Sequence, residues 1–195
     1  MLLAPARSAL TRYRKIGCFK EVACLLRELH LKATENESFG KLNSMPEEHW
    51  SPPEWWYIDK RPTSDDAYFE NMCRIIFQAG LNWSVVDKKW PTIQKAFDKF
   101  STKKVSGYTD SDVARLIKDA GIIRNRGKIS AIIENAKEFE RIKKESGSFK
   151  TYLDRLDKSH NYSLLIRELS ARFKWLGPSS ARIFLYTVGE KIKYT

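Results

Sequence analysis

A chain of 195 residues with 42% hydrophobic and 12% aromatic residues can bury one core, either as one domain or as two small lobes sharing it, and is too apolar for global disorder. No apolar run approaches the ~20 residues needed to cross a bilayer. The formal net charge of +11 points to a polyanion, nucleic acid or an anionic membrane surface, or else to a solubilising surface alone.

The charge is uneven. Residues 1–34 carry 7 Lys/Arg against 2 Asp/Glu, residues 35–120 carry 12 against 14, and residues 121–195 carry 16 against 8. Phosphate contacts are therefore expected in the C-terminal third. Cys18, Cys24 and Cys73 are odd in number and lack metal-site spacing, which fits a reducing intracellular setting and no bound metal. The first twenty residues hold no acid before Glu21. A transit peptide and a basic arm both account for that composition, so organellar targeting stays open.

The pattern predicts an all-α chain. Val22, Leu25, Leu26 and Leu29 give a short amphipathic face. Residues 34–64 read as an irregular connection, because Gly40, Pro46, Pro52, Pro53 and Pro62 forbid a long helix. A basic segment with an aromatic loop over 1–62 and a regular helical domain over 63–195 follow from this. Ser64 or Asp65 caps a helix carrying Phe69, Met72, Cys73 and Ile76, which Gly80 stops. The next begins near Trp83, with Val86, Trp90, Ile93 and Phe97 on one face and Pro91 bending it. Asp110 or Ser111 caps a helix that Gly121 ends. A longer helix carries Ile129 to Phe139, helices over 148–157 and 161–173 follow, and a last apolar helix comes after Gly177-Pro178. Residues 192–195 are read as extended.

Three segments carry chemistry. In FKWLGPSSARIFLYTVG (173–189) a glycine permits a tight turn into a helix start, so backbone N–H groups there can hold a DNA phosphate. Pro178 suits the first helical position. Ser179 and Ser180 add hydroxyls, and Lys174 and Arg182 add charge. Read alone, the segment also fits an ordinary helix corner. In LIKDAGIIRNRGKISAII (116–133), Arg124, Arg126 and Lys128 crowd a turn that is either an anion-attracting corner or a solvated loop. In QAGLNW (78–83), Leu81 and Trp83 have the types needed for a wedge and a stacking platform, or for a plain core contact.

Together FENMCRIIFQAGLNWSVVDKKWPTIQKAF, DVARLIKDAGIIRNRGKISAIIENAKEF and FKWLGPSS resemble the 3-methyladenine DNA glycosylase I family, in order and spacing, over roughly residues 62–190. The resemblance implies a helix-hairpin-helix fold with two helical lobes around a base-binding cleft, a monomer, duplex DNA as partner, and cleavage of the N-glycosidic bond of an alkylated adenine without lyase chemistry. It implies that Trp83 stacks on the flipped base and that Leu81 is the wedge, with Gln78 beside it.

The chain also departs from the family. A glutamate of the base pocket stands three residues before the Gln of the QAG loop, and here that residue is Ile75. A carboxylate offers charge and hydrogen bonds to a cationic purine; isoleucine offers neither. The hairpin lysine of lyases is Ser179, and the Cys/His residues of the family's zinc site have no counterpart. Neither Schiff-base chemistry nor any cofactor or metal is expected. HWSPPEWWY (49–57) supplies what remains: Glu54 to orient water, and Trp55, Trp56 and Tyr57 as an aromatic box suited to a cationic methylpurine, or as an anchor for the loop. The expected function is a monofunctional glycosylase for alkylated or destabilised purines. One alternative is a DNA-binding or damage-sensing protein that lost the chemistry, which Ile75 favours; another is a basic helical protein that binds RNA or another protein.

Overall fold

The computed structural model describes residues 53, 55–57 and 60–193. The amphipathic stretch at Val22–Leu29, Cys18, Cys24 and Glu54 lie outside the described residues. Eight α-helices are present among those described: α1 (Asp65–Gln78), α2 (Trp83–Ala96), α3 (Thr102–Val105), α4 (Asp110–Lys118), α5 (Arg126–Ser146), α6 (Phe149–Arg155), α7 (Ser159–Arg172) and α8 (Pro178–Thr187). A one-turn 3-10 helix, Asp98–Phe100, links α2 to α3.

Helix α1 is the axis of the molecule, touching α2, α3, α5, α6 and α8. Its sequence explains why: Tyr68, Phe69, Met72, Cys73, Ile75, Ile76 and Phe77 leave almost no polar face, and all are buried. Such a helix is stable only when surrounded. Ser64 caps it by accepting from the Ala67 N–H. The acids of its first turn also organise its neighbours. Asp66 accepts from Thr102 N at 2.8 Å, and Asp65 accepts from Phe149 N at 2.9 Å, so each satisfies a donor at the start of another helix.

Two boundaries differ from expectation. The cap of α4 is Thr109, one residue earlier than predicted, because Asp112 reaches back to the Thr109 N–H at 3.0 Å in a capping box. The turn at 98–100 and helix α3 escaped prediction. Asp98, Lys99 and Phe100 take φ values of 50, 54 and 55° with no glycine to announce them. Burial of Phe100, stacked on Trp90 (5.1 Å) and Phe97 (5.5 Å), holds that conformation. Residues 191–193 carry no strand assignment.

The aromatic segment before α1 is docked on α8. Tyr57 N–H donates to Thr187 O at 2.7 Å, and Trp56 is buried against Tyr186. This docking depends on Gly189, with φ +81°. A Cβ there would lie 1.8 Å from Lys60 O and 2.5 Å from Tyr57 O.

Candidate functional site

Helix α5 gathers the three chemistry-bearing segments. Near its start, Lys128 Nζ donates to Phe77 O (2.8 Å) and Ala79 O (2.6 Å), the carbonyls that α1 leaves open where it ends. The same ammonium lies 5.6 Å from the centre of the Trp175 ring. Two turns later the buried Asn135 clamps the hairpin, accepting from Lys174 N (2.8 Å) and donating to Lys174 O (3.0 Å). The turn at 121–125, the end of α1 and the hairpin at 173–178 are therefore held by one helix face.

Lys128 consequently does not do what its place in the cationic turn predicts. It is 3% exposed, turned inward onto two carbonyls, and burial lowers its pKa to about 8. It positions the loop rather than meeting a phosphate. Arg124 and Arg126 are exposed. Lys174, Gly177 and Ser179 are exposed as well, while Ser180 and Arg182 are half-buried.

Helix α8 begins at Pro178 with Gly177 as its cap, and no side chain caps it. Its first-turn N–H groups therefore face outward at the positive end of a helix dipole, which can hold an anion. One detail of the hairpin differs from expectation. Gly177 has φ −64°, open to any residue, and nothing lies within 4 Å of a Cβ placed there. The left-handed residue is Trp175, at φ 60°, and it is 49% exposed. A large exposed aromatic in a disfavoured conformation is held in place by what surrounds it. A Cβ on Gly127 would sit 3.3 Å from its ring, and Asn135 fixes the preceding residue.

The second half of the site is the aromatic box. Trp83 starts α2, whose cap Asn82 accepts from Ser84 N. Trp83 is 1% exposed, and its ring centre is 6.4 Å from that of Trp55, which in turn meets Trp56 edge-on at 5.7 Å. A base that stacks on Trp83 must displace what covers it now. Tyr57 is half-buried, and burial with the nearby Glu70 raises its hydroxyl pKa, so it remains a donor. Ile75 is fully buried.

Gln78 was expected beside the wedge at the DNA surface. It is 0% exposed, and neither atom of its amide has a hydrogen-bond partner. A fully buried side chain cannot enter a duplex, so that placement is corrected. Leu81 is half-buried and packs on the core edge, one residue past Gly80, whose φ of +73° turns the chain out of α1. Sequence reasoning also missed Arg74, whose guanidinium lies 4.8 Å from the Trp55 ring centre and 4.5 Å from that of Trp90, and pairs with Asp87 at 3.3 Å. Glu70 on the same helix accepts from Trp90 Nε1 (3.0 Å) and Gln94 Nε2 (2.6 Å). The i, i+4 spacing of Glu70 and Arg74 is the one signal that put them together.

Among the described residues no group of three or more His, Cys, Asp or Glu side chains is arranged to hold a metal ion, and no helix is long and apolar enough to cross a membrane.

The chain is similar to proteins of known activity. It is 39% identical over 100 residues to DNA-3-methyladenine glycosylase 1 of Escherichia coli, covering 51% of this chain and 49% of that protein. It is 31% identical over 107 residues to the DNA-3-methyladenine glycosylase of Haemophilus influenzae, covering 55% and 54%. The matches thus span about half the length of these relatives. A crystal structure of 3-methyladenine DNA glycosylase I superposes with a TM-score of 0.59 at 29% identity, covering 68% of this chain and 83% of that one. The Staphylococcus aureus enzyme, studied for 3-methyladenine recognition, gives 0.60 at 26% identity, covering 68% and 80%. The all-helical arrangement and a family model described as Methyladenine glycosylase, which matches residues 52–181, agree: the chain belongs to the methyladenine glycosylase family.

Proposed function

We propose that the protein is a monofunctional DNA glycosylase that releases alkylated or otherwise destabilised purines from duplex DNA by base flipping. The observation that carries this reading is the convergence on α5 of an uncapped helix start, an exposed pair of arginines and the QAG loop, in a chain of this family. The first-turn amides of α8 and Ser179 anchor one phosphate, with Lys174 and Arg182 beside it, and Arg124 and Arg126 draw the flanking backbone. Leu81 fills the space left by the extruded base. The base enters the box of Trp83, Trp55, Trp56 and Tyr57, with Ile75 at its floor.

The bond broken joins the base nitrogen to C1′ of the sugar. Water adds to C1′, and the base leaves with the bonding electron pair. Alkylation weakens this bond, so orientation of water suffices, and Glu54 is proposed for that task. The test is single-turnover incubation of excess protein with duplexes carrying one lesion each, followed by alkaline cleavage at abasic sites. Cleavage of at least one lesion duplex is expected, and turnover should fall when Glu54→Gln is introduced. Unchanged turnover in that variant contradicts the role of Glu54.

A second reading is favoured by Ile75 and by the closed box around Trp83: a protein that binds duplex DNA or senses damage without cutting. Tight duplex binding with no base released from any lesion supports it over the first. In either reading the protein acts alone on duplex DNA inside the cell.

A further inference from the structure

Among the described residues three large apolar side chains are exposed: Val85, Leu164 and Trp175. Trp175 alone of these has a positive φ. Its value of 60° is a left-handed conformation, disfavoured for any residue with a side chain, that persists only where the surroundings fix it. They do so here. Asn135 grips the preceding residue twice, accepting from Lys174 N at 2.8 Å and donating to Lys174 O at 3.0 Å. The following residue, Leu176, is buried in the core. A Cβ on Gly127 would stand 3.3 Å from the benzo part of the indole, so the ring rests against bare backbone. Yet 49% of the residue stays open to solvent. A disfavoured conformation that leaves a large aromatic half outside points to a partner for the open half.

The neighbouring charges say what kind of partner. The two segments that meet at the ring, 121–133 and 173–189, carry Arg124, Arg126, Lys128, Lys174 and Arg182 and no Asp or Glu. Helix α8, with no side chain capping it, starts at Pro178. A partner that fits is anionic and offers a flat apolar face. A nucleic acid strand does both, since its phosphates alternate with bases whose π-faces stack on aromatic side chains. In a continuous duplex those faces are covered by neighbouring bases. The Lys128 ammonium, 5.6 Å from the ring centre, also donates to Ala79 O, two residues before Leu81. The ring thus stands beside the loop that carries the proposed wedge, where extrusion of one base uncovers the face of another.

We propose that Trp175 is a stacking platform for an unpaired DNA base, set beside the start of α8 and the QAG loop. This rests on the DNA-binding part of the reading above and not on base cleavage.

The test measures, by fluorescence anisotropy at one salt concentration, binding of the full chain to a short single strand of thymidines and to an abasic strand of equal length. The two carry the same phosphates and differ only in their bases. The base-bearing strand should bind about tenfold more tightly. Trp175→Ala should bind both strands at the abasic level, and Trp175→Phe should keep most of the preference, with the Tm of each close to that of the parent. Replacing Arg124 and Arg126 with alanine should weaken both strands by the same factor. Equal binding of the two strands by the parent, or a preference that survives in Trp175→Ala, overturns the proposal. A parent that binds duplex but neither strand overturns it and leaves the DNA reading standing; a parent that binds no DNA ends both.

Discussion

The hairpin shelf and the aromatic box are linked through α5 but are built on opposite rules. The shelf is exposed, its donors are backbone N–H groups, and its cations are Arg124, Arg126 and Lys174. The box is closed: Trp83, Trp56, Ile75 and Gln78 are each at most 3% exposed. A phosphate shelf can be ready before DNA arrives, since nothing needs to move for an ion to reach it. If the closed box is the base pocket, as proposed, it must be opened by binding. The difference also separates two kinds of change. On the proposed function, affinity for the duplex would reside on residues that contribute little to the core, and selectivity on residues that are the core.

That division can be broken most severely through Gly189. Gly189→Ala places a methyl group against Lys60 O and Tyr57 O, and we expect a loss of about 3 kcal/mol in unfolding free energy, read by chemical denaturation, as the aromatic segment comes off α8. If the division holds, the folded fraction of this variant keeps its duplex affinity, since the shelf does not touch that segment. Replacing Arg124 and Arg126 with alanine has the opposite signature: thermal stability is unchanged, while the slope of log affinity against log salt falls by about 2.

Lys128 joins the two regions, and pH sharpens its role. Its pKa is depressed in the folded protein to about 8 from an ordinary value of 10.5, so between those values the unfolded chain binds the additional proton. The contribution of this residue to stability therefore rises as the pH goes from about 8 to 10.5. Denaturation of the parent and of Lys128→Met across that window should show the parent gaining relative to the variant; a flat difference contradicts the inward placement. A small effect on stability is also expected at Trp175. With half its surface exposed and φ at 60°, Trp175→Ala should change unfolding free energy by less than about 0.5 kcal/mol, yet weaken duplex binding by about 1 kcal/mol if the ring lies against DNA.

Much of this was legible in the residues. Ser64, Gly80 and Pro178 punctuate the helices where the structure does, because caps and glycine act locally. The family and its three motifs were legible for the same reason, since each motif is a short turn between helices. Direction was not. Three cations in five residues announce a charged corner, but only the packing of α5 under the end of α1 shows that Lys128 turns in while Arg124 and Arg126 turn out. Gln78 precedes Ala-Gly and so reads as surface loop, although it is the last buried turn of α1. The tight turn of the hairpin was read from Gly177, but the residue with positive φ is Trp175, beside Gly127 and Lys128. Glu54 falls outside the described residues, so its role rests on its neighbours in sequence.

In the proposed function, base extrusion is the step that joins shelf to box, and it can be observed without any chemistry. A duplex carrying 2-aminopurine at one position fluoresces weakly while that base is stacked and brightly when it is turned out. We predict that the protein raises this fluorescence on binding, and that Leu81→Ala binds the duplex with similar affinity but gives little rise. Tight binding by the parent with fluorescence unchanged would contradict the account at its centre.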